Sequence, residues 1–338
     1  MGLGVYSYII RGVDYDLPFV EMIKSVLPIA DEVCILTHKT NEKYGGKDFN
    51  DGTLDILKSM ESAESNLHIY AEEFDFNNPA IDGLSKAISR SKCKSKILMQ
   101  IDSDEVLREQ DYPKIESLKS NWKSNYGIIT CGVINWFNGD YINLAAAGWA
   151  KERFSPNDGR ITHGIPTELR VPESNGKYYR TNPGVTDGAG YIDSEGNRME
   201  GNTFMCDPGN LPEDIHNPNS IYLHHYSWYS LPRKWAMKQT WHYFWGRLQG
   251  KYSSLEDYRI DLDGNRVDFW GAPKKSPPHS YIQAITDEVK RKGKKLVKAK
   301  NIDHPEIMRE WVDRQIVYIP GRIFSKPIMK NIGVLPQR

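Results

Sequence analysis

The stretch Ile97–Glu105, which reads ILMQIDSDE, decides the fold. Its first five residues are nearly all apolar, as in a strand buried within a sheet, and carboxylates follow at Asp102, Asp104 and Glu105. In open α/β sheets ligands bind beyond the carboxyl ends of the strands, and buried carboxylates are costly unless they are paired or bound to metal. Because Mg²⁺ and Mn²⁺ prefer oxygen ligands, the pattern predicts that Asp102 and Asp104 bind such an ion together with substrate phosphates.

Two other interpretations of these carboxylates compete with a metal site. They could cap the helix that follows, because the first turn of a helix favours negative charge. Capping explains one acidic residue better than three. A calcium loop of the EF-hand type needs Asp or Asn at its fifth position and Gly at its sixth, and Val106 and Leu107 occupy those places here.

Strand-like and helix-like patterns alternate over the first 135 residues around this stretch. Strand patterns cover residues 5–10, 33–37, 67–71, 97–101 and 127–133, and helix patterns begin near residues 16, 50, 79 and 111. Strands that alternate with helices of this length predict an α/β fold with a mostly parallel, Rossmann-like sheet flanked by helices.

The alternation of strand and helix patterns ends after residue 135, and a helical pattern returns only at residue 231. Residues 138–220 are rich in Gly, Pro, Asn and Asp, residues 231–250 form an aromatic-rich helical pattern, and a basic run spans Lys290–Lys300. We expect a catalytic domain at 1–230 and a helical C-terminal extension at 231–338. For the basic run, a solvated helix face competes with peripheral contact to a membrane surface or an anionic acceptor.

Composition limits the class of partner and the cellular compartment. The 338 residues include 44 Lys and Arg against 44 Asp and Glu, so no overall charge draws the chain to nucleic acid. Its four cysteines are widely spaced, with no CxxC pair, which argues against a thiolate zinc site and a disulfide framework. No signal peptide pattern and no apolar run long enough to span a membrane is present, so we expect a cytoplasmic protein.

Three segments resemble family-2-type glycosyltransferases with a GT-A fold. Residues 50–57, NDGTLDIL, are similar to that family's S-x-D-G-T segment, and Ile101–Glu105 is similar to its D-x-D-E segment. Leu223–Trp228, followed by Lys234, resembles the H-Y signature of a subgroup of sugar transferases. The resemblance implies transfer of a sugar from a UDP- or GDP-sugar to a glycan-type acceptor hydroxyl, with Mn²⁺ or Mg²⁺ as the cofactor.

The resemblance also implies which residues surround the nucleotide. Ile10 and Arg11 after the first strand, and Thr37 and His38 at the end of the second, would flank the base. Asp51 of the N-D-G-T segment is placed with these donor-binding residues. The family usually has an acidic residue where this chain has Thr37 and His38, so base recognition is the point at which the chain departs from the pattern.

The same resemblance places Asp102 against the ribose and the metal, and Asp104 directly on the metal. His224 and His225 follow an apolar strand, and neutral imidazole can bind metal. Adjacent strand residues point to opposite faces, so we expect only one of them, His225, to face the site as a third ligand. The alternative is an ordinary histidine packed beside aromatic residues.

An inverting transfer requires a carboxylate that deprotonates the acceptor hydroxyl. Glu213-Asp214 is similar to the family's E-D pair, which makes Asp214 one candidate, and Glu168 is the other. Arg170 and Arg153 are candidates for holding phosphate or acceptor. For the carboxylates the alternative is a solvated loop side chain, and for the arginines it is a surface ion pair.

These patterns predict a metal-dependent glycosyltransferase. Two other functions fit the same scaffold. One is a non-catalytic module that binds carbohydrate or nucleotide, and the other is a nucleotidyltransferase, which would release pyrophosphate instead of a nucleoside diphosphate.

Overall fold

The structure of the protein is a computed structural model. It describes residues 1–13, 15–39, 43–44, 47–48, 51–73, 81–123, 127–139, 141–143, 150–163, 191–193, 197–199, 201, 203–207, 213–231, 233–234, 296–299 and 302–315. All structural statements below concern these residues.

The strands and helices begin and end as follows. The strands are β1 (Leu3–Ile9), β2 (Glu32–His38), β3 (Lys43–Tyr44), β4 (Lys47–Asp48), β5 (Leu67–Glu72), β6 (Ile97–Gln100), β7 (Glu105–Leu107), β8 (Ile129–Phe137), β9 (Tyr141–Asn143), β10 (Ala150–Pro156), β11 (Tyr191–Ile192), β12 (Arg198–Met199), β13 (Thr203–Met205), β14 (Tyr222–Trp228) and β15 (Leu296–Lys298). The α-helices are α1 (Phe19–Val26), α2 (Thr53–Ala63), α3 (Ile81–Lys92), α4 (Tyr112–Ser120) and α5 (Arg309–Arg314). Short 3-10 helices cover Glu109–Asp111, Glu213–His216 and Glu306–Met308.

One mixed sheet organises the described residues. Its strand order is β15-β9-β8-β10-β6-β1-β2-β5. In addition, β13 and β14 pair with β8, and β7 pairs with β14. The block β6-β1-β2-β5 is parallel throughout, whereas β10 runs antiparallel to both β6 and β8. The carboxyl ends of β1, β2 and β6 therefore meet at one edge of the sheet.

The larger of two apolar clusters among the described residues lies on the sheet and includes C-terminal residues. The inner face of α1, with Met22, Ile23 and Val26, is fully buried against it. Trp311 of α5 belongs to the same cluster and is also fully buried. Removing such side chains from water supplies the main stabilisation of a domain.

The α/β fold predicted from the sequence is confirmed, with a curled sheet flanked by helices in the manner of a Rossmann-like, GT-A-type fold. The domain boundary at residue 230 stays a prediction, and so does the helical pattern at 231–250, most of which lies outside the described residues. No helix in the described ranges is long and apolar enough to cross a bilayer.

Candidate active site

The acidic segment forms a tight turn between β6 and β7. The amide of Glu105 donates to the carbonyl oxygen of Asp102 at 3.0 Å, and the amide of Asp102 donates to the Glu105 carboxylate at 3.1 Å. Gln100 at the end of β6 also donates to Asp102, at 2.8 Å. The turn therefore holds the acidic residues at the edge where the parallel strands end, as the sequence predicts.

Pairing of β7 with β14 brings His225 to Asp104. His225 lies opposite Glu105 in this antiparallel pair, and the amide of Tyr226 donates to the carbonyl of Asp104 at 2.8 Å. As a result, Nε2 of His225 lies 3.5 Å from an oxygen of the Asp104 carboxylate. The two residues are more than 100 positions apart in the sequence, and only the sheet brings them together.

Asn135 of β8 orients the His225 ring. Its Oδ1 lies 2.6 Å from Nδ1 of His225. An amide oxygen only accepts hydrogen bonds, so Nδ1 carries the proton and Nε2 is directed at Asp104. A partner that fixes the second ring nitrogen in this way is typical of histidines that bind metal.

The Asp104 carboxylate stays ionised although it is buried. Asp104 is buried, and burial alone would raise its pKa, but its interactions with His225 and Lys234 hold that pKa well below the usual value. Lys234 is half-buried, and desolvation of its amine lowers its pKa to about 8 despite the attraction of Asp104. Its Nζ donates to the hydroxyl of Ser227. A strongly acidic carboxylate of this kind suits a cation ligand.

Asp102 is held by three cationic side chains. Its carboxylate lies 3.1 Å from Lys86, 3.2 Å from Arg153 and 3.7 Å from Lys151. Burial raises the pKa of Asp102, yet these cations together lower it well below the usual value. Arg153 and Lys151 also contact Glu105, so the charges of the cluster are largely balanced.

Asp104 and His225 can therefore bind a divalent ion directly, whereas the Asp102 carboxylate already forms ion pairs with lysine and arginine side chains. Within the described residues no group of three or more His, Cys, Asp or Glu side chains is arranged to hold a metal. Mg²⁺-type ions commonly use only one or two protein ligands and take the rest from substrate phosphates and water. An oxygen from Asp104 and a nitrogen from His225 suit Mn²⁺ in such a site, and the metal role of all three residues stays a prediction.

The residues expected to flank the base lie at the same sheet edge. Arg11 follows Ile10 with a backbone φ of +53°, and its guanidinium lies 5.2 Å from the Tyr15 ring. Thr37 and His38 are both buried, and the Thr37 hydroxyl donates to the carbonyl of Ile9 at 2.8 Å. Thr37 thus joins β2 to β1, and its contact with a nucleotide stays a prediction.

Asp51 precedes Gly52, the N-cap residue of α2, and its carboxylate connects the first turn of the helix to the loop after β1. Its carboxylate accepts from the amide of Thr53 at 3.1 Å, from the Thr53 hydroxyl at 2.8 Å and from the amide of Val13 at 3.2 Å. Gly52 between them adopts a φ of +86°, which an L side chain rarely tolerates. Asp51 therefore shapes the loop, whatever its contact with the donor.

Replacing Asp51 with alanine is expected to lower the free energy of unfolding by about 1 kcal/mol, because the amides of Thr53 and Val13 lose their hydrogen bonds to its carboxylate. Thermal unfolding measures this loss. The matched control is Ser59→Ala, which lies on the exposed face of the same helix. Equal melting temperatures for the two variants would show that the Asp51 carboxylate contributes nothing to stability.

Asp214, one of the two predicted bases, is surrounded by hydrogen-bond donors. Its oxygens accept from the amide of Asp207 at 2.6 Å, from Tyr222 at 2.7 Å, from Ser220 at 2.8 Å and from Asn217 at 2.9 Å. Burial acts to raise the pKa of Asp214, and these donors together hold that pKa below its usual value. The other predicted base, Glu168, and the predicted phosphate ligand Arg170 lie outside the described residues.

The sequence did not point to three residues of this site. Lys86 and Lys151 approach Asp102 from α3 and β10, and Asn135 orients His225 from β8. The one local signal was the spacing of Asp82 and Lys86, which suits an ion pair on a helix and is observed at 3.9 Å.

Comparison with known proteins gives structural similarity alone. No family model matches the chain, and no curated protein matches it. A structure of S. aureus TarS residues 1–349 is similar at 11% identity with a TM-score of 0.37, covering 90% of this chain and 99% of that one. The match to a longer TarS structure has 11% identity and a TM-score of 0.32, and covers 46% of this chain and 28% of that chain. TarS 1–349 in complex with UDP-GlcNAc is similar at 13% identity with a TM-score of 0.28, covering 41% of this chain and 35% of that one.

Proposed function

We propose that this chain is a glycosyltransferase that moves a sugar from a nucleoside diphosphate sugar to an acceptor hydroxyl. The observation that carries the proposal is the pair of Asp104 and His225, 3.5 Å apart and oriented by Asn135 at the edge where the parallel strands end. Diphosphates bind at this edge in open α/β sheets, and a carboxylate beside an imidazole suits a divalent ion that would accompany them.

Each residue has a distinct task in this proposal. Asp104 and His225 hold Mn²⁺ or Mg²⁺, which supplies Lewis-acid stabilisation of the departing diphosphate when it is bound. Lys234 adds positive charge beside Asp104, and Lys151 adds it beside Asp102. Both charges favour the negative leaving group. Asp102, already fixed by Lys86 and Arg153, is positioned to accept hydrogen bonds from a ribose.

The base that activates the acceptor is the remaining part of the proposal. Asp214 already accepts four hydrogen bonds, and a carboxylate with a lowered pKa is a weak proton acceptor. We therefore favour Glu168 over Asp214 as the base. The expected acceptor is a glycan-type hydroxyl, and the expected donors are UDP- and GDP-sugars, including UDP-GlcNAc.

A thermal-shift screen tests donor binding. UDP, GDP and their sugars are compared at one common concentration with Mn²⁺ present, and a nucleotide at about 100 times its dissociation constant is expected to stabilise the protein by about 2.7 kcal/mol. We expect one base to be preferred and the shift to shrink strongly with EDTA. If no nucleotide changes the melting temperature with either metal, donor binding at this edge is refuted.

Donor turnover separates the enzyme from a binding module on the same scaffold. With metal and the preferred donor, we expect slow release of free nucleoside diphosphate, because water can replace the acceptor. Release of pyrophosphate would instead indicate nucleotidyl transfer. Binding without any turnover, even with a panel of glycan acceptors, would favour the non-catalytic module.

A further inference from the structure

A polar cavity of about 110 Å³ lies beside His224, the residue next to His225. Its walls come from the 3-10 helices Glu109–Asp111 and Glu213–His216, from β14 and from residues 302–305. Adjacent residues of a strand point to opposite faces, so β14 separates this cavity from the Asp104 carboxylate that His225 contacts. None of the tasks proposed for sugar transfer uses it.

His224 presents a buried N–H group to this cavity. Its ring is fully buried, and Nδ1 lies 3.0 Å from the indole nitrogen of Trp136. An indole N–H only donates, so Nδ1 accepts and the ring proton sits on Nε2. In the described part of the chain Nε2 has no hydrogen-bond partner, although an unsatisfied buried donor is costly.

Arg108 supplies further donors and a positive charge. Its side chain is 3% exposed and makes two hydrogen bonds to Asp111, at 2.8 and 2.7 Å, and one to the carbonyl of Ile215 at 3.0 Å. A guanidinium has five N–H groups, so two remain without an acceptor among the described residues. Lys114 also binds Asp111, at 2.8 Å. Arg108, Lys114 and Asp111 together carry one net positive charge.

The acidic residues of the lining are on the solvent side. Glu109 is half-buried and accepts from the amide of Ile307 at 3.2 Å, and Asp303 is exposed. Arg108 and His224 are the buried polar side chains of the lining, and its other buried members, Ile215, Ile302 and Pro305, are apolar. Among the described residues, the buried polar side chains of this lining therefore offer hydrogen-bond donors and the positive charge of Arg108.

We propose that this cavity binds a small oxyanion, a carboxylate or phosphate group whose oxygens accept from Nε2 of His224 and from Arg108. A volume of about 110 Å³ corresponds to roughly four water molecules at about 30 Å³ each, which is enough for an anion of four or five heavy atoms. Charge-assisted hydrogen bonds of this kind are about twice as strong as neutral ones. The occupant also satisfies the buried imidazole N–H.

Nuclear magnetic resonance of the ¹⁵N-labelled full chain tests the proposal directly. Sodium acetate and sodium phosphate are titrated separately at constant ionic strength, with sodium chloride as the reference. We expect one of the two anions to shift the His224 Nε2–H resonance saturably and to raise the melting temperature, while chloride does neither. A response to acetate alone identifies a carboxylate ligand, and a response to phosphate alone identifies a phosphate group.

A variant that fills the cavity provides the second measurement. Ile302→Phe adds bulk to the lining, and we expect it to weaken anion binding at least tenfold. Glu306→Gln, at an exposed position outside the lining, is the matched control and should bind as the wild type does. A cavity that holds water only would show no saturable shift with either anion in the wild type. That result overturns the proposal even if Ile302→Phe fails to fold.

Discussion

Asp104→Asn is expected to reduce sugar transfer and metal-dependent nucleotide binding by more than about 100-fold. The substitution keeps the size of the side chain and removes the charge that would attract the cation, and losing even an outer partner of a metal ligand typically costs 10–100-fold. Nucleotide titrations with and without Mn²⁺ measure the binding, and nucleoside diphosphate release measures the transfer. Full activity of the variant would refute Asp104 as a metal ligand.

The control for this prediction separates loss of function from loss of fold. Asp158→Asn makes the same chemical change at a half-buried turn position, where Asp158 forms an ion pair with the exposed Arg160, and should leave binding unchanged. The free energy of unfolding of Asp104→Asn should be about 1–3 kcal/mol lower at neutral pH, because Lys234 loses its buried counter-charge.

The stability that Asp104 contributes depends on pH. Its folded-state pKa is lowered, so this stability is present above the unfolded pKa near 4 and is lost as the pH falls further. The stability difference between wild type and variant should therefore narrow below about pH 4.

The parallel half of the fold could be predicted because local patterns determine it. The segment ILMQI reads as a buried strand on its own, and the acidic residues after it read as a strand end. The observed β6 at Ile97–Gln100 and the turn at Asp102 match that prediction. Alternating strand and helix patterns then leave few topologies for the first half of the chain.

The environment of Asp102 could not be predicted, because its partners come from distant parts of the sequence. Lys86 lies on a helix, and Lys151 and Arg153 lie on a strand that enters the sheet antiparallel to β6. The sequence motif predicts a metal ion at Asp102, which stays a prediction, but it gives no sign of the three cationic side chains around that carboxylate. A short motif specifies which groups stand at a strand end, but the long-range pairing of strands decides what they contact.

The same limit applies to Asp214. Its sequence context resembles a catalytic E-D pair, yet the structure surrounds its carboxylate with hydrogen bonds from Ser220 and Tyr222 and with others from nearby residues. Ser220 and Tyr222 lie in the turn and strand that follow, and nothing in the sequence marks them as partners of Asp214. Hydrogen-bond saturation of a carboxylate becomes visible only in three dimensions.

A buried ion pair fixes the 3-10 helix that contains Asp214. Asp111 is fully buried and accepts two hydrogen bonds from Arg108, one from Lys114 and one from the amide of Tyr222 at 3.0 Å. Arg108 in turn donates to the carbonyl of Ile215 at 3.0 Å. Asp111 therefore joins the start of α4 both to β14 and, through Arg108, to the helix that carries a candidate base.

Asp111→Asn is expected to destabilise the protein by about 3–5 kcal/mol, because it leaves the buried Arg108 guanidinium without its counter-charge. Stability of a domain is usually only about 5–15 kcal/mol, so a large fall in the urea midpoint should accompany the loss. The double variant Arg108→Met with Asp111→Asn removes both charges and should regain part of the stability. Glu116→Gln on the exposed side of α4 is the control. A loss below about 1 kcal/mol in Asp111→Asn would mean that water reaches Arg108, and the buried-pair explanation would then fail.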